Sequence, residues 1–234
     1  MELNYFGVEA AVRGVLPDMV ARRAGKVVFI ASAMAVCGER EWMIERGERE
    51  SYQPPLPVSA PALTLFSSLF SLSPLGFAGF SSYAPSKWAV RGLADCLRSE
   101  LLGSGVSVHV AYPPDTDTPG YAAENATKPP ECHAASRAAG DVLYSADAVA
   151  AKIVKGLARG AYHLPSPDAG QNLMVASCAG LSPRPLCLVL DVLLAPVLAI
   201  AMRIFGWVVD RAARRGAVEA RAGGGGSGAR RTAE

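Results

Sequence analysis

Paired cysteines are missing from this chain, and so is a strong charge of either sign. Its five cysteines, Cys37, Cys96, Cys132, Cys178 and Cys187, are scattered and show no CxxC spacing. An odd, scattered set excludes a disulfide framework and a zinc site, and reads as reduced thiols facing a cytosolic compartment. The three histidines, His109, His133 and His163, also lack ligand spacing. They read as surface or packing residues, and no metal is expected. A formal net charge of +2 gives no electrostatic footprint for nucleic acid, so none is expected as a partner. The glycine run from Gly223 to Gly226 follows no strand and opens no helix, which makes it a linker and not a phosphate loop. No charged-then-apolar leader stands before Asn4-Tyr5-Phe6-Gly7, so no targeting segment is expected ahead of the fold.

What the chain has in quantity is apolar side chains. Of 234 residues half are hydrophobic and 19% charged, which is apolar for a soluble enzyme and points to membrane contact. Tyr5, Val8, Val12, Val15 and Met19 recur at helical spacing and predict a first helix over residues 2–23, broken at Gly25-Lys26. Val27-Val28-Phe29-Ile30 is a short all-apolar run, as expected of a parallel strand buried on both faces. Ser32 follows at its carboxyl end, where open parallel sheets place their ligands.

Residues 37–74 break this order. A charge cluster (Glu39 to Glu50) gives way to Pro54-Pro55-Leu56-Pro57 and then to a Leu/Phe/Ser/Pro tract at 65–74. Leu, Phe, Ser and Pro all have codons made only of pyrimidines, so the segment is expected to be a non-native insertion, such as retained intron, or a disordered loop.

Order resumes from Gly76. Ser82 is the expected N-cap of a helix that carries Tyr83 and Lys87 four residues apart on one side, with Val90, Leu93, Leu97 and Leu101 on its apolar face. A lysine ammonium beside a phenol favours the phenolate, so Lys87 is expected to lower the Tyr83 pKa and make it a proton donor and acceptor near neutral pH. Val106 to Tyr112 alternates as a strand and leads into the rigid loop Pro113-Pro114-Asp115-Thr116-Asp117-Thr118-Pro119-Gly120. Strand, helix and strand at this spacing imply a parallel crossover. Residues 121–144 lack periodicity and read as loop. Ser145 caps a further helix bearing Val149, Ile153, Val154 and Leu157.

Leu186 to Val209 is almost continuously apolar yet holds Asp191, Pro196 and Arg203, with basic residues on both flanks. A re-entrant or interfacial hairpin bent at Pro196 is expected, the other reading being a helix packed on the protein's own core or at a dimer interface. Residues 217–234 read as a flexible tail.

Asn4-Tyr5-Phe6-Gly7, Val27 to Ser32, Tyr83-x-x-x-Lys87 and Pro113 to Thr118 occur in an order that resembles the second half of a short-chain dehydrogenase/reductase. The resemblance implies an α/β fold, the C-terminal part of a Rossmann-like doubly wound parallel sheet, followed by an apolar C-terminal helical segment. It divides the chain into a partial family domain (1–36 and 75–180), the interrupting segment 37–74, a membrane-associated segment (182–210) and the tail. Lys87-Trp88-Ala89-Val90-Arg91-Gly92-Leu93-Ala94, and the run from Ala111 to Pro129, match the branch of that family acting on sphingoid-base lipids at the endoplasmic reticulum membrane, with the catalytic part facing the cytosol.

By the same resemblance Tyr83 would be the general acid, Lys87 would tune it and hold the nicotinamide ribose, Ser32 would polarise the carbonyl and Asn4 would anchor a relay water. Pro114, Thr116 and Thr118, with Tyr83 and Lys87, would border the cofactor, NADPH. The Gly-rich turn that holds a dinucleotide's phosphates is not found after an opening strand, which sets a catalytically incompetent fragment beside the reductase as a reading. A reductase of the same family acting on a steroid or retinoid is the third. A homo-oligomer stays open.

Overall fold

The structure, a computed structural model, describes residues 1–32, 83–140, 142–179, 182–183 and 188–224. Segment 37–74, the expected cap Ser82 and residues 225–234 lie outside them.

A π-helical turn, Glu2–Phe6, runs into α1 (Gly7–Ala21), and β1 (Gly25–Ile30) follows. The single helix expected over 2–23 is therefore two geometries in series, and Gly25-Lys26 opens the strand instead of breaking the chain ahead of it. Then come α2 (Ala84–Glu100), β2 (Val106–Ala111) and β3 (Thr116–Asp117). The chain continues through α3 (Pro119–Thr127), α4 (Pro130–Ala139), β4 (Tyr144–Ser145) and α5 (Ala146–Ala158). It ends with β5 (His163–Leu164), α6 (Ala169–Ser177) and the long α7 (Leu188–Gly224).

β1 and β2 pair in parallel from Gly25 opposite Val106 to Ile30 opposite Ala111, and β5 adds on the far side of β2, giving the order β1-β2-β5. β1 and β2 flank α2, so the expected parallel crossover is present. Gly105 makes the turn into β2 at φ +85°, and a Cβ there would stand 2.1 Å from the Arg23 carbonyl oxygen, so no other residue fits. β2 is buried on both faces, as its apolar character requires. β1 is not: it is the edge of the described sheet, and Ile30 is 51% exposed. Phe29, Val90 and Val110 centre the core, with Leu93 and Leu97 of α2 packed against it.

Residues 121–144 are not the loop their composition suggests. Thr118 caps α3 by accepting from the Tyr121 N–H at 3.1 Å, Pro119 and Pro130 occupy first-turn positions, and Gly140 ends α4 at φ +101°. These helices carry little apolar periodicity because α3 buries nothing and α4 buries only Cys132 and Ala135. Ser145 caps α5 as expected, accepting from the Ala148 N–H at 3.3 Å.

The hairpin expected at Pro196 is not formed. α7 runs through Pro196 to Gly224, so the first part of the segment 217–234 is helical. A proline inside a helix removes one hydrogen bond and need only kink it. Asp191, Leu198, Val209 and Gly216 share one face of α7, and all are buried. That face packs on α4 and α6. A Cβ on Gly216 would lie 2.9 Å from the Ala134 Cβ, so glycine is what lets α7 meet α4 so closely. The opposite face carries Leu193, Val197, Ile200, Ile204 and Trp207, each between 58% and 64% exposed. By length and composition alone, Val189–Ala220 is long and apolar enough to cross a membrane.

Candidate functional site

Beyond the carboxyl ends of β1 and β2 lies a cavity of about 740 Å³. Ser32 reaches it from the end of β1, Tyr83 and Lys87 from the first turns of α2, and Pro114, Thr116 and Thr118 from the loop after β2. These expected site residues are together. Asn4 is not among the lining residues; it is half-buried in the π-helical turn that packs against α2.

The start of α2 is what presents Tyr83. Its carbonyl accepts from the backbone N–H groups of Ser86 and Lys87 at 3.0 and 3.2 Å, and from the Ser86 hydroxyl at 2.6 Å. Ser86 is fully buried, so the turn bearing the phenol is held from below. One helical turn on, Lys87 donates from Nζ to the Ile30 carbonyl at 3.3 Å and stands 5.5 Å from the centroid of the Tyr83 ring.

The electrostatics differ from the sequence expectation. Burial raises the Tyr83 pKa above its ordinary value, the hydrogen bond from Ser32 pulls it back, and the Glu124 carboxylate raises it further. Lys87 is not the group that lowers it. Burial instead lowers the Lys87 pKa, which weakens its hold on a proton. In this arrangement Tyr83 is a protonated phenol across neutral pH, equipped to donate. Ser32 does the tuning assigned to the lysine.

The loop hydroxyls are partly committed. Thr116 donates to the Pro114 carbonyl at 2.7 Å, and Thr118 caps α3. Tyr121 donates to Asp115 at 3.2 Å on the same side. Sequence reasoning missed the rest of the wall. Gln171 of α6 is buried and donates to the Tyr112 carbonyl at 2.6 Å, and Leu198, Met202 and Phe205 of α7 complete the lining. Their spacing of four and three residues was a signal for one face, masked by apolar residues all round that helix.

Within the sheet, His109 of β2 and His163 of β5 are buried packing residues. His109 bonds the Ala161 carbonyl at 2.7 Å and the Ser107 hydroxyl at 2.8 Å. His163 sits between the Tyr112 and Ser182 hydroxyls, and burial lowers its pKa to about 4.

Residues 67–129 match the profile of the short chain dehydrogenase family. The chain is 36% identical over 199 residues to 3-ketodihydrosphingosine reductase of Dictyostelium discoideum, a match covering 84% of this chain and 47% of that protein. It is 32% identical over 183 residues to 3-dehydrosphinganine reductase of Danio rerio, covering 78% and 43%. To the 3-ketodihydrosphingosine reductase of Mus musculus it is 33% identical, with the same two coverages. The chain thus spans a little under half the length of the curated relatives it matches.

Proposed function

We propose, from the match of residues 67–129 to the short chain dehydrogenase profile and the similarity to the reductases above, that the cavity is the proton-handling part of a carbonyl reductase site, in which Tyr83 is the general acid. The carbonyl is the 3-keto group of 3-ketodihydrosphingosine, in keeping with the names its relatives carry. One observation carries the reading: Ser32 and Tyr83, from different elements far apart in the chain, line the same cavity, and a Ser32 hydrogen bond acts on the Tyr83 phenol.

The match to that family implies a nicotinamide cofactor, and the residues present fit its nicotinamide-ribose end. The Lys87 ammonium has one described acceptor and further N–H donors for ribose hydroxyls. Pro114, Thr116 and Thr118 border the same space. No Gly-rich strand-to-helix turn exists among the described residues, since Gly223 and Gly224 end α7. The cofactor, which we take to be NADPH, supplies hydride when bound. Ser32 donates to the carbonyl oxygen and holds it; Tyr83 delivers the proton to that oxygen. The resulting secondary alcohol is dihydrosphingosine. Asn4, in the turn packed on α2, is the residue we assign to hold a water that relays protons to Lys87. The membrane is that of the endoplasmic reticulum, with the cavity on its cytosolic side and α7 against the lipid.

The test is turnover of 3-ketodihydrosphingosine with NADPH by the full chain. Tyr83→Phe should lower the rate by about a hundredfold or more, the ordinary contribution of a positioned acid. Activity that survives this substitution refutes the assignment, and a wild-type chain that neither binds NADPH nor turns over refutes the function.

A further inference from the structure

We infer that the inner face of α7 is the subsite for a hydrocarbon chain, with Leu198, Met202 and Phe205 forming its floor; this deepens the reductase reading and rests on it. The spacing of four and three residues sets these side chains on a single face of the helix. That same face lines the cavity holding Ser32, Tyr83 and Lys87. Leu173 and Met174 of α6 continue the apolar wall beside them. Met202 also packs against the main hydrophobic core, so the floor is anchored and not a loose flap.

The cavity has two chemistries. Hydroxyls, an ammonium and carboxylates come from α2, α3 and the loop after β2; the α7 wall is apolar, and α6 adds Leu173 and Met174 beside the polar Gln171 and its N-cap Asp168. At about 740 Å³ it falls within the size range of sites that bury a whole small molecule, well beyond what a lone carbonyl group needs. An amphiphile with a reactive head and a long alkyl chain matches that division, the head lying at Tyr83 and the chain along α7.

The outer face of α7 indicates where the chain comes from. Leu193, Val197, Ile200 and Ile204 are more than half exposed on the side away from the cavity. Farther on, Arg211 stands 5.3 Å from the centroid of the exposed Trp207 ring, the pairing found where a helix lies at a lipid–water boundary. The helix is thus apolar toward the cavity and apolar toward the outside. It can lie in one leaflet while walling the site, and pass an alkyl chain along its length without exposing the chain to water.

Ala201 permits a test that spares the core, because it lines the cavity yet is exposed. Equilibrium binding of 3-ketodihydrosphingosine and of a short-chain analogue with the same head would be compared for the full chain and for Ala201→Trp. The substitution should weaken the long-chain ligand by about tenfold or more while leaving the short one nearly unchanged. Equal weakening of both, or of neither, overturns the subsite and leaves the reductase reading standing. A wild-type chain that binds neither ketone overturns both. As a measurement free of any variant, a long-chain ketone with a photoreactive diazirine at its chain end should label peptides containing residues 198–205. Labelling confined to other segments overturns the proposal.

Discussion

The Lys87 ammonium stands 5.5 Å from the centroid of the Tyr83 ring, while the hydrogen bond that favours the Tyr83 phenolate comes from Ser32. A pair four residues apart on a helix invites the inference that the cation tunes the phenol. The folded geometry instead turns the lysine toward the Ile30 carbonyl and leaves the tuning to a residue at the end of β1. Helical spacing brings two side chains to one side of a helix, but does not decide which atoms meet.

Removing the Ser32 hydroxyl should therefore raise the already raised Tyr83 pKa, and Glu124→Gln should lower it. Tyrosinate absorbance titrations with Tyr83→Phe as the blank read both. The reduction rate should hold level through neutral pH and fall only on the alkaline side, as the acid loses its proton. A larger pKa change from Lys87→Met than from Ser32→Ala would return the tuning role to the lysine.

Acid should destabilise the fold through His163. Its folded pKa, about 4, lies below its unfolded value of 6.5, so between those values the unfolded chain binds more protons. The stability held by neutral His163 is complete above pH 6.5 and is lost as pH falls toward 4, to a limit of about 3 kcal/mol. Denaturant unfolding at a series of pH values should show this slope, and His163→Gln should flatten it.

Arg91 is 5% exposed and donates to the Cys178 and Ala179 carbonyls at 2.8 and 3.2 Å, tying α2 to the end of α6. Arg91→Met should cost about 1–3 kcal/mol by leaving the Cys178 carbonyl unpaired, the Ala179 carbonyl keeping the Ser182 N–H and hydroxyl as donors. Urea midpoints measure the loss. An unchanged midpoint would show that the Cys178 carbonyl finds another donor.

Gly216→Leu should force α7 away from α4, since even a Cβ there would meet the Glu131 Cα at 3.0 Å. Overpacking of this kind costs about 1–3 kcal/mol. Cysteine accessibility gives a local reading: Cys132, buried on α4, should become reactive in the variant.

Much of the architecture was legible in advance. The alternation of β2 and the face of α2 through Val90 and Leu101 appear as buried surfaces, whereas of the apolar run at β1 only Phe29 is buried. Three of the four expected catalytic side chains converge on one cavity because strand ends and a helix start are places that sequence marks well. The short helices α3 and α4 were hidden because they bury almost nothing, so no period was imposed on them. Their proline and glycine boundaries were the readable signal. The fate of Pro196 was not readable: whether a proline kinks or reverses a chain depends on what packs beside it, here α4 and α6, brought near by folding.

One wall of the cavity belongs to a helix whose outer side is apolar and uncovered among the described residues. A micelle and a bilayer press on such a surface with different curvature and lateral pressure. If α7 lies against lipid as proposed, the width of the cavity is partly a property of the surrounding amphiphile. Affinities measured in one detergent would describe the protein together with that detergent, and a change of lipid would act as a change of active-site shape.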